Sequence, residues 1–302
     1  MIKNEEKHPI TIKEAVERLE RIRNSTVISY ISDSRALFDI DDSLVLDDNL
    51  SSLTENGQKK IKKLDLLIQS PGGFLEASYK YLRICKEYSE EFNVIVPLFA
   101  KSAATIICLG ANEIVMTAVS ELGPVDPIIQ HPTKPNIRVP ARSIKDYFDF
   151  VKSTQGTDST SGIDPQTKQI LDQNLDPYLI GSYEGALKAS KEIIERLLGE
   201  NEFKNKKANI PKCVTAFTEA HASHGFPIDR KELSDLGFTN ITIAESDVEL
   251  IKSIKQLFTF YTQLMRQNNF IKLQGNRDRN WHVQVIPIAP QQEITLPPTS
   301  FL

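Results

Sequence analysis

Two short stretches of the sequence decide the fold, and each joins an apolar strand to a helix. Residues 64–73 read LDLLIQSPGG, and residues 93–105 read NVIVPLFAKSAAT. In both stretches an apolar run ends in small residues, after which a helical pattern begins. Strands that alternate with helices through short connections predict an α/β fold of βαβ units, with a mainly parallel sheet and right-handed crossovers.

Further elements extend this pattern in both directions. A capping box at Thr11–Glu14 predicts a helix that runs to about Arg23. Beyond Pro127 the pattern becomes mainly helical. The remaining expected elements are strands at 26–31 and 113–116, helices at 74–88, about 143–152, 177–198, 210–223 and 230–236, and a helix opened by a second capping box at Ser246–Glu249.

The chain is expected to divide near residue 245. Residues 1–245 form the first predicted domain, with an acidic insert at about 32–57, read as a surface loop with little core, and a mobile loop at about 153–163. Residues 246–302 form a helical C-terminal extension and a proline-rich tail. The apolar stripe Leu250–Met265 repeats at helical spacing and predicts core or a subunit contact rather than a ligand site.

Composition argues against several classes of protein. The 302 residues carry 36 Lys and Arg against 40 Asp and Glu, a formal net charge of −4, which does not suit a general nucleic-acid binder. The charged N-terminus resembles no signal peptide, and no apolar run is long enough for a spanning helix. Three widely spaced cysteines form no CxxC pair, so neither a disulfide scaffold nor a Cys-rich zinc site is predicted, and a cytoplasmic protein is expected. No dinucleotide fingerprint is present, and no cofactor is expected.

The first candidate for chemistry is the turn Ser70–Gly73. Consecutive glycines between a strand and a helix leave backbone N–H groups uncovered, which is what an oxyanion or a phosphate needs. A second interpretation is a tight turn that needs glycine only for its dihedral angles.

The second candidate is the turn Phe99–Thr105, where Ser102 is followed by two alanines. Small residues beside a serine let a substrate approach closely, although Ser102 could equally be a simple N-cap. Because neighbouring βα turns meet at the carboxyl edge of a parallel sheet, the two turns are expected to lie side by side.

Together with ELGPVDP at 121–127, these turns resemble the serine dehydrogenase proteinase family, which belongs to the Clp-protease and crotonase-like clan with signal peptide peptidase A. The resemblance is dense from about Ile12 to Pro127 and weaker through 139–145 and 221–237. It implies a crotonase-like core, a Ser102 nucleophile, and an oxyanion hole made by the N–H groups of Gly73 and Ala103.

The general base is the open question in this resemblance. Clp proteases carry a histidine where this chain reads LGPVDP, so the resemblance instead implies a lysine, as in Ser-Lys relatives of the clan, and Lys145 is the best match. Asp126 either orients a partner of the site or caps the turn. The other residues considered as bases are Lys101, Lys134, His131, His221 and His224. The last two, three residues apart, lack the third ligand that a zinc site would need.

Three functions remain in competition. The leading hypothesis is a serine peptidase that hydrolyses peptide or protein substrates through an acyl-enzyme. The second is a scaffold or binding protein that keeps the fold with little catalysis, and the third is an acyl-CoA enzyme that uses the same two N–H groups. The resemblance also implies a homo-oligomer.

Overall fold

The computed structural model describes the backbone of residues 10–54, 59–131, 134–141, 143, 146, 149, 177–221, 223 and 225–284. A seven-stranded sheet forms its centre, with the strand order β10 (Ile241–Ile243), β5 (Glu113–Met116), β3 (Ser89–Val96), β2 (Ile61–Gln69), β1 (Thr26–Ser32), β11 (Phe270–Gly275) and β12 (Asn280–Gln284). The five strands from β10 to β1 are parallel, and β11 and β12 add an antiparallel edge. The predicted α/β fold with a mainly parallel sheet is thereby confirmed.

The helices and strands have the following bounds. The first half of the chain contains α1 Ile12–Arg23, β1 Thr26–Ser32, α2 Asp41–Leu53, β2 Ile61–Gln69, α3 Leu75–Tyr88, β3 Ser89–Val96, β4 Phe99–Ala100, α4 Ala103–Leu109, β5 Glu113–Met116, β6 Glu121–Leu122, β7 Ile128–His131 and β8 Lys134–Pro140. The second half contains α5 Pro177–Glu200, α6 Ile210–Thr218, β9 Ile228–Asp229, α7 Arg230–Asp235, β10 Ile241–Ile243, α8 Val248–Asn268, β11 Phe270–Gly275 and β12 Asn280–Gln284.

Alternating side chains of the central strands point to two separate cores. In β2, Leu66 and Ile68 join the larger core with α2, α3 and α4, whereas Leu67 joins the core formed with α1 and α8. Because successive residues of a strand face opposite sides, a continuous apolar run such as LDLLI fits a sheet that is covered on both faces.

The apolar stripe of α8 is part of the second core. Leu250, Ile254, Leu257, Tyr261 and Met265 are buried within the chain, against α1 and the sheet. They are therefore not available to a second subunit, and the core interpretation of this stripe is the correct one. The N-cap of α8 is Asp247 rather than the predicted Ser246, because the carboxylate of Asp247 accepts the N–H groups of Glu249 and Leu250.

The acidic segment after β1 differs from the predicted surface loop. Residues 41–53 form α2, which buries Leu46 and Leu50, and Phe38 ahead of it is completely buried. Asp42 is also buried, because the side chains of Tyr30, Lys272 and Gln274 donate hydrogen bonds to its carboxylate. The prediction of a surface loop is therefore wrong, because this acidic stretch contributes apolar side chains to the core.

The C-terminal strands are continuous with the main sheet. β11 lies antiparallel to β1, with Ser32 opposite Lys272, so residues beyond 245 contribute to the same sheet as the first strand. The division at residue 245 stays a prediction. The loop expected at 153–163 lies outside the described residues.

Candidate active site

The two glycine and serine turns meet at the carboxyl ends of β2 and β3, as the sequence predicts. Ser70 forms a bridge with Ala100: its N–H donates to the carbonyl of Phe99 at 3.2 Å, and its carbonyl accepts the N–H of Lys101 at 2.9 Å. β4 also pairs with β6, which pairs with β9, so a small three-stranded sheet supports the second turn. This pairing fixes the turn after β2 against the turn before α4.

Ser102 has an unusual backbone conformation. Its φ is +51° and its ψ is −123°, in a region that residues with a side chain rarely adopt. A serine on a strained turn between a strand and a helix is the geometry by which several hydrolases present a nucleophilic hydroxyl. The Ser102 side chain is buried, and its Oγ lies 3.4 Å from the carbonyl oxygen of Asp126.

Gly72 packs directly on this serine. A Cβ added to Gly72 would lie 2.6 Å from the Cβ of Ser102 and 3.1 Å from the nitrogen of Ala103, and the φ of Gly72 is +104°. Both the space and the dihedral angle therefore require glycine at this position. The Ser-Pro-Gly-Gly turn therefore lies close to Ser102, the nucleophile candidate. The next N–H of this turn, that of Gly73, is close enough to bind a carbonyl group that Ser102 would attack.

The N–H groups of Gly73 and Ala103 have acceptors nowhere in the described part of the chain. The carbonyl of Gly72, in contrast, accepts the N–H of Phe38 at 2.8 Å, and the carbonyl of Phe38 accepts the N–H of Phe74 at 2.9 Å. These two bonds bring Phe38 alongside Gly73. The arrangement leaves two uncommitted donors on the turns that flank Ser102, which is what an oxyanion hole requires.

The segment after β6 closes the other side of Ser102. Asp126 is buried, and its backbone carbonyl lies near the serine hydroxyl. Thr105 Oγ1 lies 2.9 Å from the carbonyls of Ala100 and of Gly123, and it accepts the N–H of Gly123. Thr105 therefore ties the start of α4 to the Gly-Pro-Val-Asp-Pro turn.

Lys101 is engaged in other contacts. Its Nζ lies 2.8 Å from a carboxylate oxygen of Glu121 and donates to the carbonyls of Leu122, Gly225 and Phe226 at 3.0–3.4 Å. A general base must offer a lone pair to the serine hydroxyl, whereas this ammonium is surrounded by acceptors. Lys101 therefore links β6 to the segment before β9.

The remaining candidate bases are mostly outside the described residues. Lys145 and His224 lie there entirely, and for His131 and Lys134 only the backbone is described, in the hairpin of β7 and β8. His221 is described: its ring stacks on Phe226 at 3.8 Å, and its Nε2 lies 2.9 Å from Glu232. The structure does not bring His221 into contact with Ser102.

No sequence pattern predicts that two further residues, Phe38 and Tyr183, lie near the site. One is Phe38, described above. The other is Tyr183 of α5, which packs beside Ala141; burial raises the pKa of Tyr183 to about 12, and the negative charge of Asp126 adds to that effect. Tyr183 therefore stays a neutral hydroxyl at physiological pH. The sequence predicts its helix, but its packing against Ala141 is a tertiary contact.

Two negative findings hold for the described ranges. None of the helices there is long and apolar enough to cross a membrane. The same ranges contain no group of three or more His, Cys, Asp or Glu side chains arranged to hold a metal ion.

Comparison with known proteins gives relatives of two kinds. From Methanocaldococcus jannaschii, uncharacterized protein MJ0137 is 28% identical over 259 residues, which cover 84% of this chain and 79% of that protein. Uncharacterized protein MJ1495 of the same organism is 27% identical over 202 residues, which cover 67% of this chain and 58% of its own length.

Among solved structures, a mutant of the 1510-N membrane-bound stomatin-specific protease is similar, with a TM-score of 0.41 and 14% identity over 77% of this chain and 80% of that one. A second mutant of that protease, in complex with a substrate peptide, has the same score and identity over 82% and 83% of the two chains. The sequence profile of the ClpP-like SDH-type serine proteinases matches residues 3–276.

Proposed function

The chain belongs to the ClpP-like SDH-type serine proteinase family, and from that premise we propose that it is a serine peptidase whose nucleophile is Ser102. The observation that carries the proposal is the buried hydroxyl of Ser102 on a turn with positive φ, in contact with Gly72. Gly73 and Ala103 are the proposed oxyanion donors.

The proposed reaction has two steps. Ser102 Oγ attacks the peptide carbonyl, its proton passes to the general base, and the carbonyl oxygen becomes an oxyanion held by the two N–H groups. The C–N bond then breaks, the amine leaves with the proton from the base, and an acyl ester remains on Oγ. Water, deprotonated by the same base, hydrolyses that ester and restores the serine.

We assign the base to Lys145, on the resemblance of its segment to that of Ser-Lys relatives. A lysine can act in this way when it is held neutral, because only the neutral amine accepts the serine proton. Asp126 supports the site through its backbone, since its carbonyl oxygen lies 3.4 Å from Ser102 Oγ. Its carboxylate is proposed to orient a partner of the site.

The test is cleavage of a diverse peptide mixture, read by mass spectrometry. Wild type is compared with Ser102→Ala and Lys145→Ala, with Ser190→Ala and Lys188→Ala as controls. Ser190 is a buried serine of α5 that donates to the carbonyl of Ala186, and Lys188 is an exposed lysine of the same helix. We expect cleavage to vanish in the first two variants and to persist in the controls. Loss with Ser102→Ala alone would reject Lys145 as base. A wild type that cuts nothing would favour the scaffold function instead.

We also propose that the peptidase works as a cytoplasmic homo-oligomer. The three cysteines are free and buried, which suits a reducing compartment. Light scattering tests the oligomer directly, and a monomeric mass at micromolar concentration would contradict it.

A further inference from the structure

We propose that Lys272 and Asp42 are positioning residues for the oxyanion hole, acting through the backbone of Phe38. The inference rests on the proposed function for its catalytic meaning, but its geometry stands independently. Lys272 lies on β11 and Asp42 on α2, and both side chains are buried. Their ion pair, with Nζ 2.8 Å from Oδ2, lies at the segment that borders Gly73.

The first link concerns a single peptide unit, the one that joins Gly72 to Gly73. Its carbonyl accepts the N–H of Phe38 at 2.8 Å. A trans peptide is planar, and its C=O and N–H point in opposite directions. Phe38 therefore determines where the N–H of Gly73 points, namely away from Phe38, and it leaves that donor free for a reacting carbonyl.

The second link is the peptide unit that joins Leu37 to Phe38. Its N–H is the donor to Gly72, and its carbonyl accepts a hydrogen bond from Lys272 Nζ at 2.9 Å. The Lys272 ammonium thus begins a chain of two aligned peptide groups that ends at the N–H of Gly73. Hydrogen bonds in such a chain polarise one another, so the positive charge makes the final N–H a stronger donor.

Asp42 binds the next peptide unit, the one that joins Phe38 to Asp39, at its N–H. The N–H of Asp39 donates to Asp42 Oδ2 at 2.9 Å, and the carbonyl of the same unit, that of Phe38, accepts the N–H of Phe74. The negative carboxylate therefore strengthens the acceptor that fixes the far side of Gly73. The Lys272–Asp42 ion pair is therefore a clamp on both peptide groups of Phe38. Its cation binds the carbonyl of Leu37, and its carboxylate accepts the N–H of Asp39.

Surrounding contacts make this clamp rigid. Asp42 also accepts Tyr30 Oη at 3.0 Å and the amide of Gln274 at 2.9 Å. The ring of Phe38 stacks on Tyr30 with a centroid distance of 4.3 Å and meets the edge of Tyr81 at 5.0 Å. A buried, fully bonded polar network of this kind specifies one arrangement of the backbone.

The experiment reads the N–H of Gly73 itself. Gly72–Gly73 is the one Gly–Gly bond in the sequence, so glycine labelled with ¹³C at its carbonyl and with ¹⁵N gives one coupled amide signal, that of Gly73. We compare the full-length wild type with Lys272→Met, Lys272→Arg and Asp42→Asn. The control is Asp65→Asn, which weakens another buried ion pair, that with Arg23.

We expect the Gly73 proton to move upfield in Lys272→Met and its position to be partly restored in Lys272→Arg, with no change in Asp65→Asn. On peptide substrate, kcat should fall about ten- to hundredfold in Lys272→Met while KM stays nearly constant. An unmoved Gly73 signal in Lys272→Met overturns the proposal; if that variant does not fold, an unmoved signal in Asp42→Asn does so. A shifted signal in a protein whose wild type cleaves nothing upholds the clamp and rejects the peptidase.

Discussion

The substitution Gly73→Ala tests the oxyanion hole most directly. A Cβ at Gly73 would lie 2.7 Å from the Cα of Phe38 and closer still to its N and O atoms, and real Cβ atoms essentially never approach other atoms below 3.0 Å. These atoms belong to backbone that is hydrogen-bonded on both sides, so the turn rather than Phe38 has to move. The N–H of Gly73 moves with it.

The expected loss follows from that movement. Removing one oxyanion donor costs about 10²–10³ in kcat, or roughly 2.7–4 kcal/mol of transition-state stabilisation. The strain itself should lower the free energy of unfolding by about 1–3 kcal/mol. We therefore expect a folded protein with a kcat reduced about 10²–10³-fold and a KM that changes little, because the oxyanion forms only in the transition state.

The matched control is Gly110→Ala at the end of α4. Its new Cβ would also be too close to a neighbour, the two Cδ atoms of Leu82, but there the obstacle is a side chain rather than backbone. Steady-state kinetics with one fluorogenic peptide and urea unfolding are measured for both variants. If Gly73→Ala unfolds at lower urea yet keeps the kcat of wild type, the assignment of Gly73 to the oxyanion hole is wrong.

Four further predictions follow from the same structure. Ser102→Gly should be more stable than Ser102→Ala by about 1 kcal/mol in urea unfolding, because glycine tolerates the positive φ of this turn; equal stabilities would show that the turn is unstrained. Arg23→Met should cost about 3–5 kcal/mol in the same assay, since it leaves the buried Asp65 without its cation, and a cost below 1 kcal/mol would contradict that reading. Burial opposes ionisation of Glu113, but hydrogen bonds from Arg23 and Thr242 outweigh it and lower its pKa below the ordinary 4.5. Its contribution to stability is therefore complete above the unfolded-state pKa and is lost as the pH falls through the lower, folded-state value. Glu113→Gln should accordingly lose less stability than wild type between about pH 5 and pH 3. Burial raises the pKa of Cys85 and Cys108 and raises that of Cys213 to about 11, so peptide cleavage should survive iodoacetamide at pH 7, and rapid inactivation would point to a thiol in the reaction.

The sequence predicts the central βαβ units well, because their signals are local. The runs around Leu66 and Val94 are apolar on both faces, and the turns that follow them contain glycine, proline and serine. These patterns are sufficient to bring Ser102 and Gly73 to one edge of one sheet. The bridge between Ser70 and Ala100 is the outcome.

The contacts that surround these turns are not local, and the sequence gives no sign of them. Asp42 looks like one more surface carboxylate in an acidic stretch. It is buried among donors that are distant in sequence, Tyr30, Gln274 and Lys272, the last of them 230 residues later. β11 reads as FIKLQG, with a lysine at its centre, and this interrupts the pattern by which a core strand is recognised. The general base is likewise a matter of tertiary structure, since the spacing from Ser102 to Lys145 does not fix where the amine lies.

The position of β11 beside β1 has a consequence for the order of events during synthesis. Residues 33–269 separate these neighbours, so the sheet lacks its antiparallel edge until residues 270–275 have left the ribosome. At about 5–20 residues per second, the earlier strands wait for many seconds with the backbone of Phe38 unsupported by Lys272. A nascent chain therefore carries the proposed nucleophile Ser102 and the turn at Gly73 long before Lys272 can bind the carbonyl of Leu37 beside that turn.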